Sequence, residues 1–127
     1  MNQIVAEWIL KADGDFNTAA REMAATDNPN YDAVCFHSQQ CIEKLLKAFL
    51  IKKNIIPPKI HDLAELCRMI EKTSHGWIPP PVNDLNFLSR AAVDFRYPGE
   101  SADKEEAEGA LTICSRLRPE IEKVINS

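Results

Sequence analysis

The chain has 127 residues, 45% of them hydrophobic and 27% charged, and a formal net charge of −4. That length is enough for one hydrophobic core and too short for a second catalytic module, so one domain over residues 1–127 is expected, and the composition excludes a disordered or fibrous chain. Net negative charge excludes bulk electrostatic adhesion to nucleic acid, which needs clustered Lys and Arg against phosphates, but it leaves room for a local basic patch.

Apolar residues recur at helical spacing in five blocks and nowhere alternate at period two, so the pattern predicts an all-α protein. The first block runs from about Asn2 to Ala25, with Val5, Trp8, Ala12, Phe16, Ala19 and Met23 on one stripe. Gly14 inside it costs about 1 kcal/mol relative to alanine. "TDNPNYD" breaks the pattern, and Asn28 followed by Pro29 suits an N-cap with proline at the first helical position of a second helix ending near Lys53. "NIIPPK" stops that helix, because Pro57 and Pro58 cannot continue it.

A third helix is expected from about His61 to Thr73, with His61 or Asp62 as its cap. "SHGWIPPPVND" reads as a stiff, extended loop in which Trp77 is either an exposed partner contact or the apolar plug of the loop. A fourth helix spans about Val82 to Phe95, and "RYPGES" closes it at or just after Arg96. Ser101 is the expected N-cap of the last helix, Asp103, Glu105 and Glu106 suit its first turn, and Pro119 is expected to kink or interrupt it. Five helices joined by short loops predict an up-and-down antiparallel bundle of four to five helices.

No apolar run approaches the ~20 residues needed to cross a bilayer, and no basic-then-apolar leader opens the chain. Cys35, Cys41, Cys67 and Cys114 lack CxxC spacing and sit in apolar or helical runs, as reduced thiols do. A cytoplasmic protein without membrane contact is expected. The histidines, at 37, 61 and 75, form no HxxxH or HExxH pair, so neither a metal site nor a cofactor is expected. All four glycines stand isolated, which excludes a P-loop, and GxSxG is absent.

The polar residues of the second helix, in "CFHSQQCIEKLLKAFLIKKN", carry the first candidate site. His37, Gln40, Lys44 and Lys47 fall three or four apart and can share one strip, with Gln39 and Glu43 alongside, while Val34, Cys41, Leu45 and Ala48 turn inward with Leu46 and Phe49 on the flank. Read by itself, this strip is a solvated face. The second candidate is "VDFRYP": Arg96 offers a planar cation suited to phosphate, and Tyr97 a ring and a hydroxyl. The same residues also suit a cation at a helix C-terminus and a lid on the core. Asp13 and Asp15 are surface residues or partners for Arg96.

Taken together, "DGDFNTAA", "YDAVCFHSQQCIEKLLKAFL", "PPKIHDLAEL" and "DFRYP", followed by an Ala- and Glu-rich last helix, resemble the HEPN family of small helical domains. The resemblance covers nearly the whole chain. It implies a helical bundle that forms a homodimer, a minimal nucleotidyltransferase as partner in a toxin-antitoxin or defence pair, and nucleotide or RNA as ligand. On it, His37, Gln40, Lys44, His61, Arg96 and Tyr97 are the ligand-binding set. Many members are metal-independent ribonucleases with an arginine followed, after about four to six residues, by a histidine. There the histidine moves protons and the arginine stabilises phosphorane charge. This chain departs from that pattern, having no histidine between Arg96 and Ser127. Arg68 and His75, separated by "MIEKTS", match the spacing elsewhere and supply an alternative catalytic pair, as do His37 with Arg96. A non-catalytic binding module is therefore expected ahead of a ribonuclease with a non-standard Arg/His set, and ahead of a purely structural dimerisation module.

Overall fold

A computed structural model describes residues 2–127. Five helices form: α1 (Gln3–Met23), α2 (Tyr31–Lys52), α3 (Leu63–Thr73), α4 (Val82–Asp94) and α5 (Lys104–Ile125), with no strand among the described residues. α2 is the central element and touches each of the other four. Its Val34, Cys41, Ile42, Leu45, Leu46, Ala48 and Leu50 are fully buried, which is why its sequence reads as apolar over most of its circumference.

Contacts at the helix ends fix the directions. α1 runs antiparallel to α2, with the Asn30 amide donating to Glu22 Oε1 at 2.6 Å across their connection. α5 runs alongside α2 in the same direction: the Ala102 amide donates to Asp32 Oδ1 at 2.6 Å at one end, and Lys52 Nζ donates to the Ser127 carbonyl at 2.9 Å at the other. α4 returns against both, pairing Asp84 with Arg116 and laying Phe87 against Gly109, where a Cβ would meet the ring at 3.5 Å. Thus α1, α2, α4 and α5 alternate as a four-helix bundle. The 53–62 connector brings the chain back along α2, and the short α3 is tied to it at Gln39, which donates to the His61 carbonyl at 3.1 Å, and near Phe49, whose ring meets Trp77 edge-on at 5.6 Å. Trp77 is therefore the plug of its loop and not an exposed contact.

Several boundaries differ from the sequence expectation, each for a local reason. Asn30, not Asn28, caps α2, accepting from the Ala33 amide at 3.0 Å, while Asn28 takes a left-handed φ of 49° in the turn. Asp62 caps α3 through the Glu65 amide at 3.2 Å, leaving His61 outside the helix. Asp103, not Ser101, caps α5, because Glu106 reaches back to the Asp103 amide at 3.0 Å while Asp103 accepts from the Glu106 amide at 2.7 Å. α5 then continues through Pro119 without interruption. Asp103→Ala should lose about 1 kcal/mol in urea unfolding, whereas Ser101→Ala should change stability by less than about 0.5 kcal/mol.

The seam between α1 and α5 holds a charged cluster. Arg118 reaches Asp13 at 3.2 Å and Glu122 at 3.6 Å, and its guanidinium lies 4.2 Å from the Phe16 ring centroid. Burial, a hydrogen bond to Asp13 and the charge of Asp13 raise the Glu122 carboxyl to about 7, against the opposing pull of Arg118. A carboxyl raised on folding binds its proton more tightly in the native than in the unfolded chain, so its contribution falls as pH rises from the unfolded value of about 4.5 toward 7. Glu122→Gln should therefore be the more stable protein at pH 8, by about 1 kcal/mol, and should lose that part of the pH dependence in thermal unfolding.

Candidate functional site

The polar residues of α2 divide among three environments. Toward α1, Asp15, 8% exposed, receives His37 Nδ1 at 2.8 Å and Lys44 Nζ at 2.6 Å. Asp15 is thus neither a surface residue nor a partner of Arg96, and Asp13 belongs to Arg118. On the side facing the start of α3, Gln39, Glu43 and Lys47 are buried, so the strip is not the solvated face its spacing suggests. Glu43 is the hub there: Gln39 Nε2 at 2.9 Å and His61 Nδ1 at 3.0 Å meet its Oε1, and Lys47 Nζ meets Oε2 at 3.0 Å. Burial pushes the Glu43 carboxyl up, but hydrogen bonds from Gln39, Lys47 and His61 outweigh it and hold the group below the usual carboxylate range. Gln40 Nε2 completes the chain, donating to Gln39 Oε1 at 2.9 Å.

The outer ends of this chain, Gln40 and His61, open onto a cleft of about 840 Å³ between α2, the start of α3 and α4. That volume is in the range of small-molecule sites. Its other walls carry Phe36, Asn83, Asn86 and Phe87, together with Arg90 and Arg96 and the carboxylates of Asp62 and Asp94. The Arg96 guanidinium lies 5.9 Å from the Phe36 ring centroid. Arg68, Arg116 and Arg118 have carboxylate partners, whereas Arg90 and Arg96 in the cleft, like Arg21 on α1, form no ion pair among the described residues.

Of the residues expected from sequence, Gln40, His61 and Arg96 meet in this cleft. His37 and Lys44 do not. His37 borders a smaller depression with Phe36 and Arg96, while Lys44 is committed to Asp15. Tyr97, 64% exposed, follows α4 outside the cleft and is not a lid on the core. Arg68 is held by Glu65 at 2.5 Å on the exposed side of α3, His75 is exposed in the following turn, and neither borders the cleft.

Arg90 is the residue that sequence reasoning passed over. It lies on α4, and "AAVDF" separates it from Arg96 just past the helix end, so the pair matches the Arg-to-His spacing with an arginine in the histidine's place. The signal was readable backwards from Arg96. Asn83 and Asn86 gave no signal, since exposed asparagines on a helix have no pattern until a cleft forms beside them.

The described residues contain no group of His, Cys, Asp or Glu that could hold a metal ion, and no helix long and apolar enough to cross a membrane. All four cysteines are buried and free. Burial pushes the Cys35 and Cys67 thiols up to about 12.

The family model described as "HEPN domain" matches residues 5–124. Among solved structures, the archaeal HEPN homologue ST0689 is 23% identical and covers 98% of this chain and 99% of its own, with a TM-score of 0.73. TT1696 from Thermus thermophilus is 21% identical over 97% of this chain and 98% of its own, with a TM-score of 0.79. At these identities the two structures speak for the fold alone. A comparison with curated proteins gives no match. With the match spanning all five helices and the bundle superposing on an archaeal homologue, the chain belongs to the HEPN domain family.

Proposed function

We propose that the α2–α4 cleft is a non-catalytic binding site for a phosphate-bearing nucleotide, either free or within an RNA strand. The observation that carries this reading is the pair of guanidinium groups, Arg90 and Arg96, that share one cleft with no ion-pair partner among the described residues. A phosphate matches the planar forks of the two guanidinium groups, which share the cleft wall with the carboxylates of Asp62 and Asp94. Phe36 and Phe87 offer ring faces to a base, and the side-chain amides of Asn83 and Asn86 can read its edge. The overall charge of −4 makes this a local, salt-sensitive attraction.

Binding is favoured over cutting by the chemistry at position 96. An arginine stays protonated throughout the physiological range, so it stabilises negative charge but cannot relay a proton where the family's nucleases use histidine. Calorimetry with ATP and with a single-stranded RNA hexamer tests the reading: saturable binding weakened by Arg90→Ala and by Arg96→Ala, with the RNA recovered intact, is the expected result. Absence of binding, or binding indifferent to both substitutions, would overturn it.

The same reading includes a homodimer and a minimal nucleotidyltransferase partner, the two proteins forming a toxin-antitoxin or defence pair. The exposed corner from Arg96 to Gly99 is the surface we assign to that partner. It is supported by Tyr97, held out at the end of α4, and by the turn at Gly99, whose φ of 96° suits glycine.

A further inference from the structure

His61 is anchored in a way that an exposed histidine does not need. Its side chain is 72% exposed, yet its Nδ1 meets Glu43 at 3.0 Å and its carbonyl accepts from Gln39 Nε2 at 3.1 Å. The next two residues are also tied, Asp62 as the cap of α3 and Leu63 through its amide to Ser89 Oγ at 3.1 Å. Backbone and ring are therefore both held at the mouth of the cleft, at the cost of the ring's freedom. A fixed orientation on an open wall is what a reading residue requires.

The partner of Nδ1 decides what the ring offers. An ionised carboxylate only accepts hydrogen bonds, so the nitrogen facing Glu43 carries the proton. In the neutral ring the opposite nitrogen, Nε2, keeps its lone pair, and it has no protein partner among the described residues. Lys47 Nζ, at 3.0 Å, already pairs with Glu43, and the cleft wall carries Asp62 and Asp94 beside Arg90 and Arg96. The cleft presents two different chemistries: cationic donors from Arg90 on α4 and Arg96 just past it for a phosphate, and, with the ring neutral, one fixed acceptor from His61 for a hydroxyl or N–H.

Resting on the cleft as a nucleotide site, we infer that His61 reads the sugar: its Nε2 accepts a hydrogen bond from a ribose 2′-hydroxyl, so the ligand is a ribonucleotide and not its deoxy counterpart. The source of that ribose, a free nucleotide or an RNA strand, is separated by the two arms of the test. ATP is compared with 2′-deoxy-ATP, and a uracil-containing RNA hexamer with the DNA hexamer of the same base sequence. Wild type should bind the ribose form about tenfold more tightly in the arm that matches the ligand. His61→Ala should bring that ratio near one by weakening the ribose form more than the deoxy form, and urea unfolding of the variant reads what loss of the Glu43 hydrogen bond costs. Equal affinities for wild type, or a ratio preserved in His61→Ala, overturn the role of His61 while the arginine dependence still stands. Loss of the arginine dependence, or His61-dependent cleavage of the RNA, overturns the non-catalytic reading of the cleft instead.

Discussion

Replacing Glu43 with leucine should cost about 3 kcal/mol of folding free energy, because it leaves the Lys47 ammonium buried without its carboxylate. Both side chains lie inside the bundle, at 5% and 9% exposure, on a helix whose remaining contacts are largely apolar. The same substitution frees Gln39 Nε2 and His61 Nδ1, so the loss is spread over three groups that were satisfied together. Glu43→Leu combined with Lys47→Met should recover most of the stability, since an apolar pair of similar volume avoids the unpaired charge. Lys104→Ala, which removes a 4.0 Å surface pair with Glu108, is the control and should change stability by less than about 0.5 kcal/mol. Urea denaturation of these variants beside wild type measures all of this. A single substitution at Glu43 costing under about 1 kcal/mol would show that the network does not brace α2 against α3.

The double substitution Arg90→Ala and Arg96→Ala should weaken binding of a phosphate-bearing ligand about 100-fold, or about 2.7 kcal/mol. A charge-assisted hydrogen bond contributes roughly 1.5–3 kcal/mol, and the two arginines are exposed enough to share that contribution with solvent. The slope of log affinity against log salt should become shallower by about one per arginine removed. Stability should stay close to wild type, since neither residue has an ion-pair partner to lose among the described residues. Calorimetry at two salt concentrations reads both quantities. Unchanged affinity with unchanged salt slope would remove the arginine pair from the site.

The helices were legible because each buries a face whose period shows in the chain: Val34, Cys41, Leu45 and Ala48 were placed inward from spacing and are fully buried. Helix ends were less legible. Asn28 and Ser101 are good capping residues by type, but the competing Asn30 and Asp103 win through contacts to Glu22 and Glu106 that spacing does not disclose. The polar strip of α2 illustrates the larger gap. Glu43 and Lys47 look like a solvated i, i+4 pair, and only the return of the 53–62 connector along α2 covers them with His61. The cleft was legible in part, through His61 and Arg96, because these stand in family-like motifs; Arg90 and the asparagines of α4 needed the packing of α4 beside α2 to acquire a meaning.

The central claim, that the α2–α4 cleft holds a nucleotide, is tested most directly by titrating isotope-labelled protein with ATP and with the RNA hexamer while recording amide and side-chain NMR shifts. Saturable changes should gather at Gln40, His61, Asn86, Arg90 and Arg96, with Arg68 and His75 unmoved. Shifts that gather instead around Arg68 and His75, or that leave the cleft silent at saturating ligand, would contradict it.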